Sequence, residues 1–173
     1  KLAFLDEHYL SHFDYLDVDS VIQEQKAFGA CQDVTLEYPV AENEGEEDNT
    51  YLSYNMVVGN AADSQMAMAF EVLDYALLSA PGAPLKQALL DVKAGKDVYG
   101  SYDDGILQPY FTVIAKGSNP DRKEEFVSVI RQVLGDIVKN GIDKKAVEAG
   151  INYFEFRYRE ADFSSYPKGL MYS

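Results

Sequence analysis

Apolar residues recur at helical or alternating spacing along most of the chain, and these spacings predict its elements. Residues 2–15 carry apolar side chains at helical spacing and predict a leading helix. Residues 34–38 alternate between apolar and polar side chains and predict a half-buried strand that Pro39 ends. Residues 50–59 alternate in the same way, so the pattern predicts a second strand.

A helix is predicted to follow the second strand. Asp63 or Ser64 can cap it by accepting a backbone N–H bond. Its predicted buried stripe consists of Met66, Phe70, Leu73 and Leu77. Two prolines and a glycine in residues 77–85 end this helix, and Pro84 suits the first turn of another, which Gly95 is expected to stop. The stretch 77–85 is therefore either a working site or a structural corner.

The second half of the chain predicts two strands and two helices. The strands cover residues 97–102 and 107–116, joined by a turn at 103–105. Both faces of the strand at 107–116 are fairly apolar, which predicts a central position in the sheet. Pro109 is expected near the start of that strand or at a bulge, because proline cannot donate to the sheet.

The two final helices have clear start and stop signals. Asn119 and Pro120 are expected to open the first and Gly141 to end it, while Asp143 caps the second. The inward side chains predicted for the last helix are Val147, Ile151, Phe154 and Tyr158. After the leading helix, the predicted order is β-β-α-α-β-β-α-α.

This order predicts an α+β fold, a largely antiparallel sheet with helices packed on one face. Residues 31–94 and 97–161 share the order β-β-α-α, which indicates a weak internal pseudo-repeat. The expected division is a leading helix and linker from a preceding domain at residues 1–30, a single α+β domain at 31–163, and the start of a truncated C-terminal extension at 164–173. Both ends look cut, so we expect a piece of a longer protein.

Charge and cysteine content remove several functional classes. The net charge of -14 argues against nucleic acid and against an anionic membrane surface as partners. Cys31 is the only cysteine, which rules out a disulfide within the chain and a multi-thiolate zinc site. The acidic segment 42–48 predicts a solvated hairpin loop, since the EF-hand spacing that a calcium site would show is missing.

Candidate catalytic and metal-binding residues are few. His8 and His12 are four residues apart on the predicted leading helix and could share a metal ion. A zincin motif needs glutamate directly after the first histidine, but Tyr9 stands there, and the inverted motif H-x-x-E-H is also missing. Both residues are therefore expected to be partly exposed helix histidines.

Other polar groups suggest structure more than chemistry. Asp103 and Asp104 could act as paired carboxylates, but beside Gly105 they are typical of a hairpin turn. A basic and aromatic group near the end could clamp an anion or contact another domain: Arg157, Tyr158, Arg159, Tyr166 and Lys168. No nucleophile motif or glycine-rich phosphate loop occurs. The sequence assigns no catalytic, cofactor-binding or metal-binding residue to this segment.

Several stretches carry a resemblance to a known family. They are residues 77–85, 105–111, 146–152, 156–160 and 164–170, which read LLSAPGAPL, GILQPYF, AVEAGIN, FRYRE and SSYPKGL. In order and spacing they resemble the presequence protease branch of the insulinase (pitrilysin-type) zinc metallopeptidases. The resemblance is to the second domain of such enzymes, which lacks the zinc motif. The arginine and tyrosine that assist catalysis belong to another half of the enzyme and are not transferred to Arg159 or Tyr166.

The resemblance implies a non-catalytic structural domain of a peptidase that degrades unfolded peptides in a closed chamber. It implies zinc in the parent enzyme and none in this segment. The expected partners are the preceding zinc domain of the same polypeptide and, through the parent, unfolded peptides. The expected location is the cytoplasm or, alternatively, an organelle matrix. Two other hypotheses remain open: a free-standing peptide-binding module, and a small-molecule-sensing domain with a pocket beside the stretch 77–85.

Overall fold

The computed structural model describes residues 1–41, 43, 45–161 and 164–171, without the side chains of Lys168 and Met171. In chain order its elements are α1 (Leu2–His8), β1 (Thr50–Val57), α2 (Ser64–Asp74), α3 (Pro84–Asp91), β2 (Asp97–Asp103), β3 (Tyr110–Ser118), α4 (Lys123–Asn140), α5 (Lys144–Glu160) and α6 (Lys168–Met171). Short 3₁₀ turns cover Leu10–His12 and Pro120–Arg122, and a π-helical turn, Tyr75–Ser79, continues α2.

The leading helix is shorter than the 2–15 that the sequence predicts. Tyr9 leaves the helical conformation (φ -133°, ψ -62°), and a 3₁₀ turn follows it. The apolar side chains of α1 are exposed, so no tertiary packing supports a helix that would be marginal alone. From Phe13 to Asn49, the described residues form no helix or strand.

The predicted strand at 34–38 is wrong. This segment runs beside β1, where the Tyr38 ring lies 5.9 Å from the ring of Tyr51 and the Tyr38 hydroxyl donates to the Asn49 carbonyl. It makes no ladder with β1, and Leu36 is 85% exposed, so the alternation does not bury a face. Among the described residues the order after α1 is β-α-α-β-β-α-α-α, and the predicted pseudo-repeat lacks its first strand.

The sheet is antiparallel, and β3 is its central strand, as the apolar character of both its faces predicts. Leu52 of β1 and Val98 of β2 both align with Ala115 of β3. Pro109 lies directly before β3, where its carbonyl accepts a hydrogen bond from the Val58 N–H at 2.8 Å. The predicted place of this proline near the strand start is therefore confirmed.

One face of the sheet carries the helices and the core, as predicted. The most deeply buried side chains there are Leu52, Leu78, Leu85, Leu89, Val98, Val113, Phe126 and Ile130. The other face is open, with Tyr51, Ser53 and Asn55 exposed. Thr112 on that face is nevertheless buried, and its hydroxyl donates to Asn55 Oδ1 at 2.8 Å.

Helix starts follow the sequence in three of four cases. Asp63 caps α2 by accepting from the Met66 N–H at 3.0 Å, and Asp143 caps α5 in the same way. Pro84 occupies the first turn of α3. Asn119 makes no cap bond, because its side chain instead donates to Asp48 Oδ1 at 2.7 Å, and a 3₁₀ turn begins the helix there.

The end of α3 also differs from the prediction. Lys93, with φ of 55°, takes the left-handed conformation expected of Gly95, and the Ala94 N–H closes the helix on the Leu89 carbonyl at 2.9 Å. Gly95 is needed for a different reason. A Cβ there would lie 2.7 Å from the Lys116 carbonyl oxygen, so the glycine allows β3 to approach closely.

The acidic segment 42–48 ends at an anchored residue. The Asp48 carboxylate accepts a hydrogen bond from the Asn119 side-chain amide and forms an ion pair with Lys96 at 3.3 Å, and these donors lower the pKa of its carboxyl. Glu42 and Glu44 lie outside the described residues, so the predicted loop is tested only in part. Without a strand at 34–38, the segment does not close a hairpin.

Candidate functional site

The stretch 77–85 is a structural corner. Its helix ends in the π turn Tyr75–Ser79, where the Ala80 N–H bonds the Tyr75 carbonyl at 2.7 Å, five residues back. Gly82, at φ of 72°, then turns the chain toward Pro84 and α3. The π turn and α3 contribute Leu77, Leu78, Leu85 and Leu89 to the core. The leucine side chains of the stretch thus pack in the core and do not line a site.

One polar group lies beside this corner. Asp74 Oδ1 is buried without a hydrogen-bond partner among the described residues, while Oδ2 accepts from the Ser79 hydroxyl at 3.2 Å. Burial raises the pKa of this carboxyl. Gly100 of β2 makes room for it, since a Cβ at that position would lie 2.7 Å from Asp74 Oδ1.

An open-sided apolar groove of about 840 Å³ lies between α2 and α5, and we call it the α2/α5 groove. Its apolar walls are formed by Met68, Ala69, Val72, Leu73, Ile142, Val147, Ile151, Phe154 and Tyr158, with Gln65, Glu155 and Arg159 as its polar members. On α2 the lining residues recur at steps of three, one, three and one, so they form one stripe of the helix. The groove is therefore the space between two apolar helix faces.

Three contacts fix the two walls of the groove. A Cβ on Gly150 would lie 3.1 Å from Val72 Cγ1, so the glycine permits close approach of α5 to α2. The Tyr75 and Tyr153 rings stack with centroids 4.8 Å apart. The Tyr158 hydroxyl donates to Glu71 Oε2 at 2.8 Å. Desolvation is the main cause that raises the pKa of Tyr158 to about 12, and the hydrogen bond to the Glu71 carboxylate is the second cause. The phenol therefore stays protonated, and this bond persists, through the neutral pH range.

The predicted inward faces of these helices are only partly inward. Phe154 is buried as predicted, but Ile151 is 51% exposed. Met66, predicted in the buried stripe of α2, is also exposed. Their apolar spacing is helical as expected, but the domain supplies too little surface to cover it. The signal for the groove in the sequence is therefore that the two helices carry more apolar positions than the domain can bury.

The two histidines do not lie on one continuous helix, as a metal site shared between them would require. His8 ends α1 and His12 lies in the following 3₁₀ turn, so the break at Tyr9 separates them. Both are exposed, and the His8 ring packs against Phe4 at 4.3 Å. Across the part of the chain that the structure describes, no cluster of three or more histidine, cysteine, aspartate or glutamate residues suits a metal ion.

Asp103 is the last residue of β2, and its carboxylate holds the turn that follows, in line with the structural alternative that the sequence favoured. Its carboxylate accepts from the Gly105 N–H at 3.0 Å and from the Tyr110 hydroxyl at 3.1 Å. The bond from Tyr110 raises the pKa of that phenol. Asp104 is exposed.

The basic and aromatic group near the end is not brought together as one anion clamp. Arg159 pairs with Glu155 at 2.5 Å on α5, and Tyr158 bonds to Glu71. Tyr166 is exposed, and the side chain of Lys168 lies outside the described residues. The groove residues Arg159 and Tyr158 are thus engaged with carboxylates of their own domain.

Cys31 lies in a second, more polar cleft of about 690 Å³. It is exposed, and Asp33 in the same cleft forms an ion pair with Lys123. Arg131 of α4 also lines this cleft. Among the described residues, none of the helices combines the length and apolarity of a membrane span.

Comparison with known proteins gives this arrangement a family. Residues 6–154 match the family described as the peptidase M16 inactive domain. The chain belongs to this family. Its fold agrees with the inactive peptidase domain of a protein named as a zinc protease from Bordetella parapertussis, at a TM-score of 0.59, 12% identity and coverage of 70% of this chain and 66% of that one.

Curated relatives extend the family assignment. The chain is 44% identical over 172 residues to "Protein HypA" of Clostridium perfringens, covering 99% of this chain and 18% of that protein. It is 29% identical over 167 residues to "Presequence protease 1, chloroplastic/mitochondrial" of Arabidopsis thaliana, covering 91% of this chain and 16% of that protein. The resemblance to presequence proteases is therefore confirmed. The chain spans less than a fifth of the length of these relatives.

Proposed function

We propose that this M16 inactive domain is a structural part of a larger zinc-dependent endopeptidase that degrades unfolded peptides in a closed chamber. One observation carries the proposal. The chain matches an inactive peptidase domain over residues 6–154 and spans only 18% of a relative to which it is 44% identical. Zinc and the catalytic residues then belong to the remainder of the parent protein, and the role of this segment is architectural.

The proposal divides the chain as the sequence suggested. Residues 1–30 link the domain to a preceding zinc domain, residues 31–163 form the inactive domain, and residues 164–173 begin a further extension. The exposed apolar residues of the leading segment, such as Leu2 and Phe13, support a linker whose contacts lie on another part of the polypeptide. The parent enzyme is proposed to act in the cytoplasm or, as its named plant relative does, in an organelle.

The test uses the natural-length polypeptide beside residues 1–173. We expect the natural-length protein to bind one zinc ion and to cleave unfolded peptides, and a chelator to abolish the cleavage. We expect residues 1–173 alone to do neither. Zinc content by elemental analysis and cleavage of a fluorogenic peptide measure both properties. A natural-length protein that lacks zinc and peptidase activity contradicts the proposal, as does stoichiometric zinc in the segment alone.

A second candidate function is peptide binding by the domain on its own, which the open α2/α5 groove favours. An apolar groove between helices can receive an amphipathic segment. Fluorescence anisotropy of a labelled unfolded peptide with residues 1–173 tests this candidate. Saturable binding that Ile151→Glu weakens tenfold, while Val138→Glu on α4 does not, would support it. Failure to saturate would remove it.

A further inference from the structure

We propose that the α2/α5 groove is the surface on which the preceding, zinc-bearing part of the same polypeptide docks. This inference rests on the proposed function, because it requires a preceding domain. It names the surface that the domain presents to its partner. The partner chemistry is an apolar helical surface, since the groove has the shape and lining of a site that receives one.

The groove is incompletely covered by its own domain. Met68 is 53% exposed and Ile151 is 51% exposed, although both lie on the lining of a concave surface. Each is an apolar side chain at a helical position that the domain core does not reach. Contiguous exposed apolar surface of this kind indicates an interaction site.

The walls of the groove are held in place without a partner. Gly150 is close to Val72, and Tyr158 bonds to Glu71, so α5 is fixed against α2 in the free domain. A partner would therefore bind a preformed surface, and the binding free energy would not be reduced by the cost of assembling it.

Hydrogen bonds tie the leading segment to the chain just before α2, one of the two helices that line the groove. The Asn60 side chain donates to Glu24 Oε1 at 2.8 Å. The Gln25 N–H donates to Gln108 Oε1 at 2.6 Å, and Gln108 Nε2 donates back to the Gln25 carbonyl at 3.1 Å. These bonds tie the leading segment beside the start of α2, and Gln65 of the groove follows Asn60 by five residues, which span at most about 18 Å.

The remaining tether is long enough to serve the whole groove. Phe13 is eleven residues before Glu24, so the segment between them reaches up to about 40 Å. The groove follows α2, whose 11 residues extend about 16 Å. A domain attached before the tether is thus held at a high effective concentration near the groove.

Charge favours this occupant over a second copy of the chain. Each copy carries a net charge of -14, so two copies repel each other over their whole surfaces. A covalently attached domain overcomes such repulsion by its effective concentration, whereas a free copy must overcome it by contacts alone.

The test measures access to the groove with engineered cysteines. Met68→Cys and Ile151→Cys are each made together with Cys31→Ser, in residues 1–173 and in the natural-length polypeptide. Val138→Cys is the matched control, because Val138 is 88% exposed on α4 and does not line the groove. Labelling by a maleimide reagent is followed at each site by peptide mass mapping.

We expect labelling at positions 68 and 151 to be at least tenfold slower in the natural-length polypeptide than in residues 1–173, and labelling at position 138 to be unchanged. Removal of the region before Lys1 should restore fast labelling. Equal rates in both proteins overturn the docking surface. Protection that survives removal of the preceding region overturns the choice of partner, and protection in residues 1–173 that grows with its concentration shows a second copy instead.

The two proposals fail in distinguishable ways. Zinc content and peptide cleavage are measured on the same natural-length samples. A zinc-bearing, active protein whose groove cysteines label fast loses only the docking surface. A protein without zinc or activity contradicts the proposed function, whatever the labelling rates are.

Discussion

Helices α4 and α5 look alike in sequence and differ in what covers them. They have 18 and 17 residues, and each carries a broad apolar face. On α4, Phe126 and Ile130 are almost completely buried against the core. On α5, Phe154 is buried but Ile151 is half exposed at the edge of the groove. Apolar spacing therefore predicts that a helix has a face to bury, but it does not tell which surface buries it.

The largest expected effect separates two isoleucines on these helices. Ile130→Ala should lower the free energy of unfolding by about 2–5 kcal/mol, because it leaves a cavity in a core where Ile130 is 0% exposed. Ile151→Ala in the same chain should cost less than about 1 kcal/mol, since that side chain is already in contact with water. Urea denaturation of both variants measures the difference. Equal costs would mean that the groove side of α5 is as well packed as α4.

The next effect concerns the contact between α2 and the sheet. Gly100→Ala should destabilise the chain by about 1–3 kcal/mol, because its Cβ would lie 2.7 Å from Asp74 Oδ1 and 2.9 Å from the Thr112 carbonyl oxygen. Gly135→Ala on α4 is the matched control. Open space surrounds that position, so alanine there should stabilise the helix by about 0.5–1 kcal/mol. Thermal unfolding that shifts in the same direction for both variants would contradict this close packing.

The third effect is a pH dependence at the same contact between α2 and the sheet. Asp74 has a raised pKa in the folded chain, because burial disfavours its charged form. Its contribution to stability is therefore full below the unfolded pKa and is lost as the pH rises through the folded pKa. Asp74→Asn should remove this part of the profile. Unfolding of both proteins is compared from pH 3 to pH 7, and a constant difference across that range would exclude a role for Asp74 titration.

The smallest expected effect is on the attachment of α5. Tyr158→Phe removes the hydrogen bond to Glu71 and should cost about 0.5–1 kcal/mol at pH 7, because the site is partly open to water. With a folded pKa of about 12, Tyr158 also lowers stability as the pH rises from 10 toward 12, where the unfolded phenol ionises first. Denaturation at pH 7 and pH 11 should show a smaller loss for the variant. An unchanged loss would argue against this bond.

Local signals predicted most of the fold. The caps at Asp63 and Asp143, the proline at position 84 and the central place of β3 depend on nearby residues or on one strand's own composition. The caps and the proline are decided by backbone hydrogen bonding within a few positions, and the apolar faces of β3 are visible in its own residues, so the sequence contains the information.

The wrong predictions depend on distant partners. The alternation at 34–38 is typical of a strand, but pairing with β1 decides whether a strand forms. Asn119 is a good cap residue by type, yet its side chain bonds to Asp48, 71 residues away. The α2/α5 groove could not be predicted for the same reason, because it forms only where two helices pack side by side and the sequence of one helix does not identify its neighbour. The tie between Gln25 and Gln108 could not be predicted for the same reason.

The π turn at Tyr75–Ser79 has a genetic consequence. Such a turn holds one residue more than an α-helical turn, so it is equivalent to a single-codon insertion in a longer helix. A regular α-helix without that residue would lead into the corner in nearly the same direction, because the π turn spreads about the same rotation over one residue more. The turn nevertheless contains Ala76, Leu77 and Leu78, which are all buried, so a deletion there would remove or displace a core side chain. This helix should therefore tolerate a substitution at its surface far better than a change in its length.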